Sequence, residues 1–153
     1  MAVAGQLPRD PAVRPATRVP VLVVHGTADP LRPFGTGAAG SPARAAGQPT
    51  PSLSTPDSVA AFVAAAGGTL RHAGPVAADP GPGDGTSLAT ECWADDEGIV
   101  AVLLTVEGGG HTWPSALVPP PAGYGPVSRD LDASAEAVAF LAGGDLATGP
   151  PCP

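Results

Sequence analysis

The chain has few cations, few aromatic side chains and almost no cysteine. Only seven of its 153 residues are Lys or Arg, these are scattered, and the formal net charge is −7. Nucleic acids and anionic membranes both attract clustered positive charge, so we expect neither among its partners. No apolar run reaches the roughly 18 residues of a membrane span.

Glycine and proline are abundant, at 21 residues each, while 43% of the residues are hydrophobic. The first feature favours loops and the second allows a core, so we expect a compact portion interrupted by long loops. Residues 1–18 contain three prolines and are predicted as an extended leader. Residues 19–142 are predicted as the folded domain and residues 143–153 as a flexible tail.

The two cysteines, Cys92 and Cys152, fit either one disulfide or two free thiols, and their spacing matches no metal motif. Residues 1–18 also lack the apolar segment of a signal peptide. We therefore expect a cytoplasmic location if Met1 is the genuine start, and export if an N-terminal part is missing.

Two segments predict buried strands. VPVLVVHG (residues 19–26) is β-branched and apolar without alternation, as in strands buried on both faces of a parallel sheet. IVAVLLTVE (residues 99–107) is the second. TSLATECWA (residues 86–94) is a weaker strand candidate that could pair with it as a hairpin across the DDEG turn. Residues 73–85 are predicted as loop.

Two helices carry their own end signals. In STPDSVAAFVAAAGG (residues 54–68), Ser54 or Thr55 can cap the first turn and the glycine pair ends the helix. RDLDASAEAVAFLAGG (residues 129–144) is the other, capped by Asp130 or Asp132. Its predicted apolar face consists of Leu131, Ala135, Val138 and Leu141.

Two polar residues follow the buried strands. Asp29 comes just after the first strand, and His111 follows the second through Gly108, Gly109 and Gly110. Because functional side chains collect at the carboxyl ends of strands, neighbouring parallel strands would bring the two together. The carboxylate would then fix the imidazole tautomer, leaving the other ring nitrogen free to accept a proton. Positive φ angles at the glycines would swing the histidine loop over the sheet.

The segments PVLVVHGTADPLRPF (residues 20–34) and EGGGHTWP (residues 107–114) resemble the acid and histidine segments of α/β-hydrolases of the polyhydroxybutyrate depolymerase and feruloyl esterase group, the LpqC-like esterases. The two helical segments are also similar, and the resemblance covers roughly residues 19–141. It implies an incomplete α/β-hydrolase fold, the C-terminal strands and helices of a mostly parallel sheet, with Asp29 as the acid and His111 as the base of a catalytic triad. It implies no cofactor.

The resemblance has two departures. The group usually has glycine where Ser115 stands, and a cysteine near residues 68–69 that pairs with one in the Cys92 region. Cys92 would therefore lack its usual partner.

The nucleophile is missing from its expected place. In α/β-hydrolases the serine precedes the acid and lies on a G-x-S-x-G turn between a strand and a helix. No serine precedes Asp29, and the closest match, GTSLA around Ser87, has neither an apolar strand before it nor a helix pattern after it. A misassigned start, a split or decayed gene, and a separately encoded N-terminal half are all compatible with this.

The sequence thus predicts a fragment of a serine ester hydrolase that acts through an acyl-enzyme but is inactive alone. Its substrate would be a polyhydroxyalkanoate oligomer, a feruloyl or acetyl ester on plant polysaccharide, or another short ester. The alternative is a non-catalytic remnant or interaction fragment.

Other polar and aromatic residues receive lesser roles. Trp113 and Phe34 are candidate substrate-binding residues, and Trp113 could instead pack the histidine loop. His25 is predicted to be buried and bonded to nearby backbone. The acidic turn at residues 95–97 is expected to be solvated, and we expect no metal site.

Overall fold

The computed structural model describes residues 1–37, 51–78, 83–115, 117, 119, 122–143, 146 and 152. Within these residues the chain forms one five-stranded mixed sheet and two α-helices. The strands, in chain order, are β1 (Ala2–Val3), β2 (Val21–Gly26), β3 (Arg71–Ala78), β4 (Ser87–Asp95) and β5 (Gly98–Glu107). The helices are α1 (Thr55–Ala66) and α2 (Ala133–Leu141). The strand order across the sheet is β1-β2-β5-β4-β3.

The central strands β2 and β5 are parallel and buried on both faces, as their unbroken apolar runs predict. Alternate residues of β2 enter two different cores. Leu22 and Val24 pack on the face that holds residues of α2 and Leu131, which precedes that helix. Val21 and Val23 pack on the opposite face, which α1 covers. Helices on both faces of the sheet explain why neither strand shows a polar side.

The predicted hairpin is confirmed, because β4 and β5 pair antiparallel across the turn between Asp95 and Gly98. Among the described strands the sheet is mixed. The pairs β1–β2 and β2–β5 are parallel, whereas β5–β4 and β4–β3 are antiparallel. The reason lies in the connections: a two-residue turn can only join antiparallel strands, whereas a parallel pair needs a longer crossover.

The prediction of residues 73–85 as loop was wrong for their first part, because β3 extends to Ala78 and pairs with β4. Nearly every residue of β3 is exposed, so it carries no apolar pattern. Its Gly74 and Pro75 lie where the register with β4 shifts between Ala73 and Val76. Pro lacks a backbone N–H and is tolerated at such edge irregularities, so only the pairing partner reveals this strand. Residues 79–82 lie outside the described part of the chain.

Helix α1 begins as predicted, with the Ser54 side chain accepting a hydrogen bond from the backbone N–H of Asp57. In α2 the cap is Asp132, which accepts from the backbone N–H groups of Ser134 and Ala135. The predicted apolar face of α2 is confirmed for Leu131, which is buried, but was wrong for the three residues within the helix. Val138 and Leu141 are 69% and 76% exposed, while the helix buries Ala133 and Glu136. A nine-residue helix rich in alanine has only a weak periodicity, so packing rather than pattern chose its buried face.

The division into leader, domain and tail stays a prediction, but the structure adds contacts to both ends. Residues of β1 within the leader pair with β2, and Pro11–Val13 form a 3-10 turn. At the other end Cys152 forms a disulfide with Cys92 of β4, so these cysteines are not free thiols here. Spacing along the chain could not reveal this pair, because 60 positions separate them. Neither α1 nor α2 has the length and apolarity needed to cross a membrane.

Candidate active site

The site lies where β2 and β5 end, side by side. Gly26 of β2 is opposite Val106 of β5, so the loops that follow leave the sheet together. Two backbone hydrogen bonds then join the loops: Thr27 N–H donates to the carbonyl of Val106, and Ala28 N–H to that of Gly109, both at 2.9 Å. The parallel register therefore delivers Asp29 and His111 to one edge of the sheet.

Glycine is required here more for close approach than for unusual backbone angles. Of the three glycines before His111 only Gly108 has a positive φ, at 74°. A Cβ on Gly26 would collide with the backbone of Gly109, and one on Gly110 with the backbone of Tyr124 and Gly125. The expectation that all three glycines adopt positive φ was therefore wrong for Gly109 and Gly110. Gly110 instead lets two backbones touch, and Gly109 leaves room for the Val106 side chain.

Asp29 and His111 are hydrogen-bonded. The distance from His111 Nδ1 to Asp29 Oδ2 is 2.8 Å, although 82 positions separate the residues. The Asp29 side chain is fully buried, while that of His111 is 28% exposed. Because an ionised carboxylate only accepts hydrogen bonds, the proton is assigned to Nδ1, and Nε2 of a neutral ring keeps its lone pair. Among the described residues no group hydrogen-bonds to Nε2.

The Asp29 carboxylate is held by four donors. Oδ1 accepts from the backbone N–H groups of Leu31, at 2.8 Å, and Arg32, at 2.7 Å. Oδ2 accepts from His111, and His25 Nε2, which is hydrogen-bonded to the Arg32 carbonyl, lies 3.1 Å from the same oxygen. Burial by itself raises the pKa of the Asp29 carboxyl, but these hydrogen bonds outweigh it and hold the pKa below its ordinary value. Asp29 is therefore an anion at neutral pH.

His25 is buried and bonded to nearby backbone, as predicted. It is 1% exposed, and its Nε2 lies 2.8 Å from the carbonyl oxygen of Arg32. The sequence did not predict its contact with Asp29. A weak signal was available in the spacing, because His25 stands four residues before Asp29 where the strand turns into its loop.

A second loop supports His111. The backbone N–H of His111 donates to the carbonyl of Tyr124 at 2.7 Å, and that of Gly110 donates to Pro126 at 2.8 Å. The ring centroids of Tyr124 and His111 are 5.7 Å apart. Tyr124 is 40% exposed and thus borders the same opening as the imidazole.

The two candidate substrate residues lie in different surroundings. Trp113 is 43% exposed, and its indole N–H donates to the Ser134 hydroxyl at 3.2 Å, so it rests on the first turn of α2. Phe34 is partly buried against the core on the α1 face, and its ring centroid lies 5.9 Å from that of His25 in an edge-to-face arrangement. Ser115, at the position where the resembled group has glycine, is buried and accepts from the backbone N–H of Leu117.

The one serine weighed as a nucleophile, Ser87, has no hydrogen bond to the His111 ring among the described contacts. Ser87 is the first residue of β4 and pairs with Glu107, so it lies in an antiparallel strand rather than on a turn between strand and helix. The described residues also contain no group of three or more His, Cys, Asp or Glu side chains placed to hold a metal ion.

One curated protein shows clear similarity. The chain is 45% identical over 149 residues to "Putative esterase NocK" of Nocardia uniformis subsp. tsuyamanensis, and the match covers 94% of this chain. The chain spans 43% of the length of that relative, so more than half of the longer protein has no counterpart here. No family model and no solved structure matches the chain.

Proposed function

We propose that this chain supplies the acid and the base of a serine-type carboxylic ester hydrolase with an α/β-hydrolase fold. The observation that carries the proposal is the 2.8 Å contact between His111 Nδ1 and a buried Asp29 carboxylate, with the other ring nitrogen free at a partly exposed edge. The similarity to a protein named as an esterase supports the same reaction class.

In the proposed reaction, His111 Nε2 takes the proton of a serine hydroxyl as its oxygen attacks the ester carbonyl carbon. The tetrahedral intermediate collapses, the C–O bond to the alcohol breaks, and His111 returns the proton to the leaving alkoxide. Water then repeats the sequence on the acyl-enzyme and releases the acid. Asp29 stays ionised throughout and stabilises the imidazolium that forms in each half-reaction.

We propose that the serine comes from a polypeptide segment outside these 153 residues. A segment corresponding to the rest of the relative, of which this chain spans 43%, is the natural source. The outermost strand β1 leaves an edge for it, since β1 pairs only with β2 among the described strands. Beside that edge runs a groove lined in part by the apolar side chains of Met1, Val19, Val21 and Phe62.

For the substrate, we propose an ester of the kind used by the group that the sequence resembles: a polyhydroxyalkanoate oligomer, or a feruloyl or acetyl ester on a polysaccharide. Tyr124 and Trp113 are proposed to border the alcohol or acyl group, because both are exposed close to His111 in the chain or in space. Phe34 is proposed to influence the site indirectly, through its edge-to-face contact with the ring of His25.

The test is a chimera in which this chain replaces the matching 43% of the Nocardia protein, assayed with a chromogenic short-chain ester. We expect hydrolysis by the chimera and none above background by this chain alone. His111→Ala should reduce the chimera's kcat/KM by at least roughly 10³-fold, since triad members act as a unit. His72→Ala is the matched control, because His72 lies on exposed β3 against Glu91.

Three other outcomes decide between alternatives. An active chimera that is indifferent to His111→Ala would refute the proposed base. Activity of the isolated chain that His111→Ala abolishes would place a nucleophile within these 153 residues. An inactive chimera, with the unmodified Nocardia protein active in parallel, would favour a non-catalytic remnant or interaction fragment.

A further inference from the structure

His25 is almost fully buried, yet both of its ring nitrogens have polar partners. This arrangement suggests a role beyond packing. On one side Nε2 faces two acceptors, the carbonyl of Arg32 at 2.8 Å and Asp29 Oδ2 at 3.1 Å. On the other side Nδ1 lies 2.8 Å from the hydroxyl oxygen of Thr55, the first residue of α1. A histidine bonded to backbone for packing alone would not need the carboxylate.

The partners determine where the protons are. Both atoms facing Nε2 accept hydrogen bonds only, so Nε2 carries the proton and Nδ1 accepts from the Thr55 hydroxyl. Thr55 Oγ1 in turn accepts from the side-chain amide of Gln6 at 3.1 Å, and the Gln6 carbonyl accepts from the Ser52 hydroxyl at 2.6 Å. A continuous chain of donors thus runs from the leader through α1 and β2 to Asp29.

We propose that His25 is a positioning residue for the Asp29–His111 pair, and that Thr55 and Gln6 hold His25 in the tautomer that does this. Its relevance to catalysis rests on the proposed hydrolase function, whereas the geometric effect does not. Asp29 Oδ1 is tied to two backbone N–H groups, so the carboxylate plane is set from that side. His25 places a fourth donor nitrogen 3.1 Å from the oxygen that also receives His111.

The effect of this bond follows from the shared oxygen. With two imidazole nitrogens within 3.1 Å of Oδ2, a turn of the carboxylate about its Cβ–Cγ bond would separate it from both, so we expect His111 to keep a single ring orientation. The second donor also spreads the negative charge, which makes Asp29 less basic and leaves the proton on His111 Nδ1. Among the described residues, the titratable side chains within ion-pair distance of Asp29 are His25, from β2, and His111, from the loop after β5; α1 contributes the neutral Thr55, which is bonded to His25.

The experiment is a long-range proton–nitrogen NMR spectrum of the full chain labelled with ¹⁵N-histidine. The chain has three histidines, so single variants assign every ring. In the unsubstituted chain we expect His25 as the Nε2–H tautomer and His111 as the Nδ1–H tautomer, with a low-field signal for the proton shared with Asp29. The carboxyl carbon of Asp29, followed in the same chain, reports its pKa.

Two matched substitutions separate positioning from packing. His25→Leu fills the space without a donor, and we expect the low-field signal of His111 to be lost, its Nε2–H tautomer to appear and the Asp29 pKa to rise. His25→Gln can place an amide N–H near the position of Nε2 and should restore all three readouts toward those of the unsubstituted chain. Equal loss of thermal stability in both variants is compatible with either role and does not enter the decision.

A second pair keeps the inference testable if the His25 variants do not fold. Thr55→Val keeps the shape of a fully buried residue but removes the hydroxyl, whereas Thr55→Ser keeps it. We expect Thr55→Val to shift the His111 tautomer in the same direction as His25→Leu, and Thr55→Ser to leave it unchanged. The inference is overturned if His25→Leu, or Thr55→Val in its place, folds and leaves His111 and Asp29 as in the unsubstituted chain. This experiment measures no turnover. An inactive chimera would therefore count against the proposed hydrolase function but would leave the NMR result unchanged.

Discussion

The two halves of the sheet differ in what holds them. The parallel pair β2–β5 is buried on both faces, and its strand ends carry the Asp29 and His111 loops. In the antiparallel half, β4 is alternately buried and β3 is almost wholly exposed. The half that bears the candidate chemistry is thus the half whose position is determined by apolar packing, whereas β3 is held through its pairing with β4.

This difference has a physical reason. A pair of side chains that must meet within hydrogen-bonding distance needs a support that does not move, and burial on both faces supplies one. An edge strand without a buried face contributes little to that support. Substitutions in the two halves should therefore differ in size and in their effect on the Asp29–His111 contact.

The largest effect is expected when a buried side chain of the central parallel pair β2–β5 is truncated. Leu104 of β5 is fully buried in the core on the α2 face. Leu104→Ala should lower the free energy of unfolding by about 3 kcal/mol, because it removes buried methyl groups and leaves a cavity. Urea unfolding followed by circular dichroism measures it. A loss well under about 1 kcal/mol would mean that the centre is less tightly packed than described.

The disulfide offers a test of the antiparallel half. It ties β4, through Cys92, to Cys152 near the C-terminus and closes a span of 60 residues. Cys152→Ser should lower the free energy of unfolding by about 2–4 kcal/mol, because the unfolded chain is then no longer constrained by the disulfide. The matched control is reductant, which should destabilise the unsubstituted chain by a similar amount and leave Cys152→Ser unchanged. Equal sensitivity of both proteins to reductant would argue against this bond.

Acid should lower the free energy of unfolding, because Asp29, at the end of the central parallel pair, becomes protonated. The pKa of Asp29 is lower in the folded state than in the unfolded state, so the unfolded chain binds a proton first as the pH falls. The stabilisation is complete above the unfolded pKa, near 4, and is lost as the pH drops through the lower folded value. Asp29→Asn should flatten the fall in unfolding free energy below about pH 4. Asp96→Asn, at a fully exposed side chain, is the control and should keep the slope.

The smallest effect is expected in β3. Val76 is 43% exposed, and Val76→Ala should change the free energy of unfolding by no more than about 0.5 kcal/mol. The His111–Asp29 NMR signal should be unaffected. If this variant were as destabilising as Leu104→Ala, β3 would be part of the support and the comparison between the halves would fail.

The sequence predicted those elements that are formed by interactions between neighbouring residues, and missed those that depend on distant partners. The strands β2 and β5 and the start of α1 were predicted because unbroken apolar runs and a capping serine act within a few residues. Strand β3 was missed because its only partner is β4. The buried face of α2 was missed because its pattern is weak. In the site, the meeting of Asp29 with His111 was predicted from strand order, but the contact of His25 with the same carboxylate was not.

The sequence by itself determined which segments are apolar enough to be central strands, approximately where α1 and α2 begin, and which polar residues stand at the strand ends. Only the tertiary structure gave the 2.8 Å distance between His111 Nδ1 and Asp29 Oδ2, placed His25 against the same carboxylate, and decided that Cys92 and Cys152 form a disulfide rather than two free thiols. The reason is one of range. Backbone hydrogen bonding and side-chain periodicity act over a few residues, whereas contacts between distant segments exist only once the sheet register and the packing of both its faces are in place.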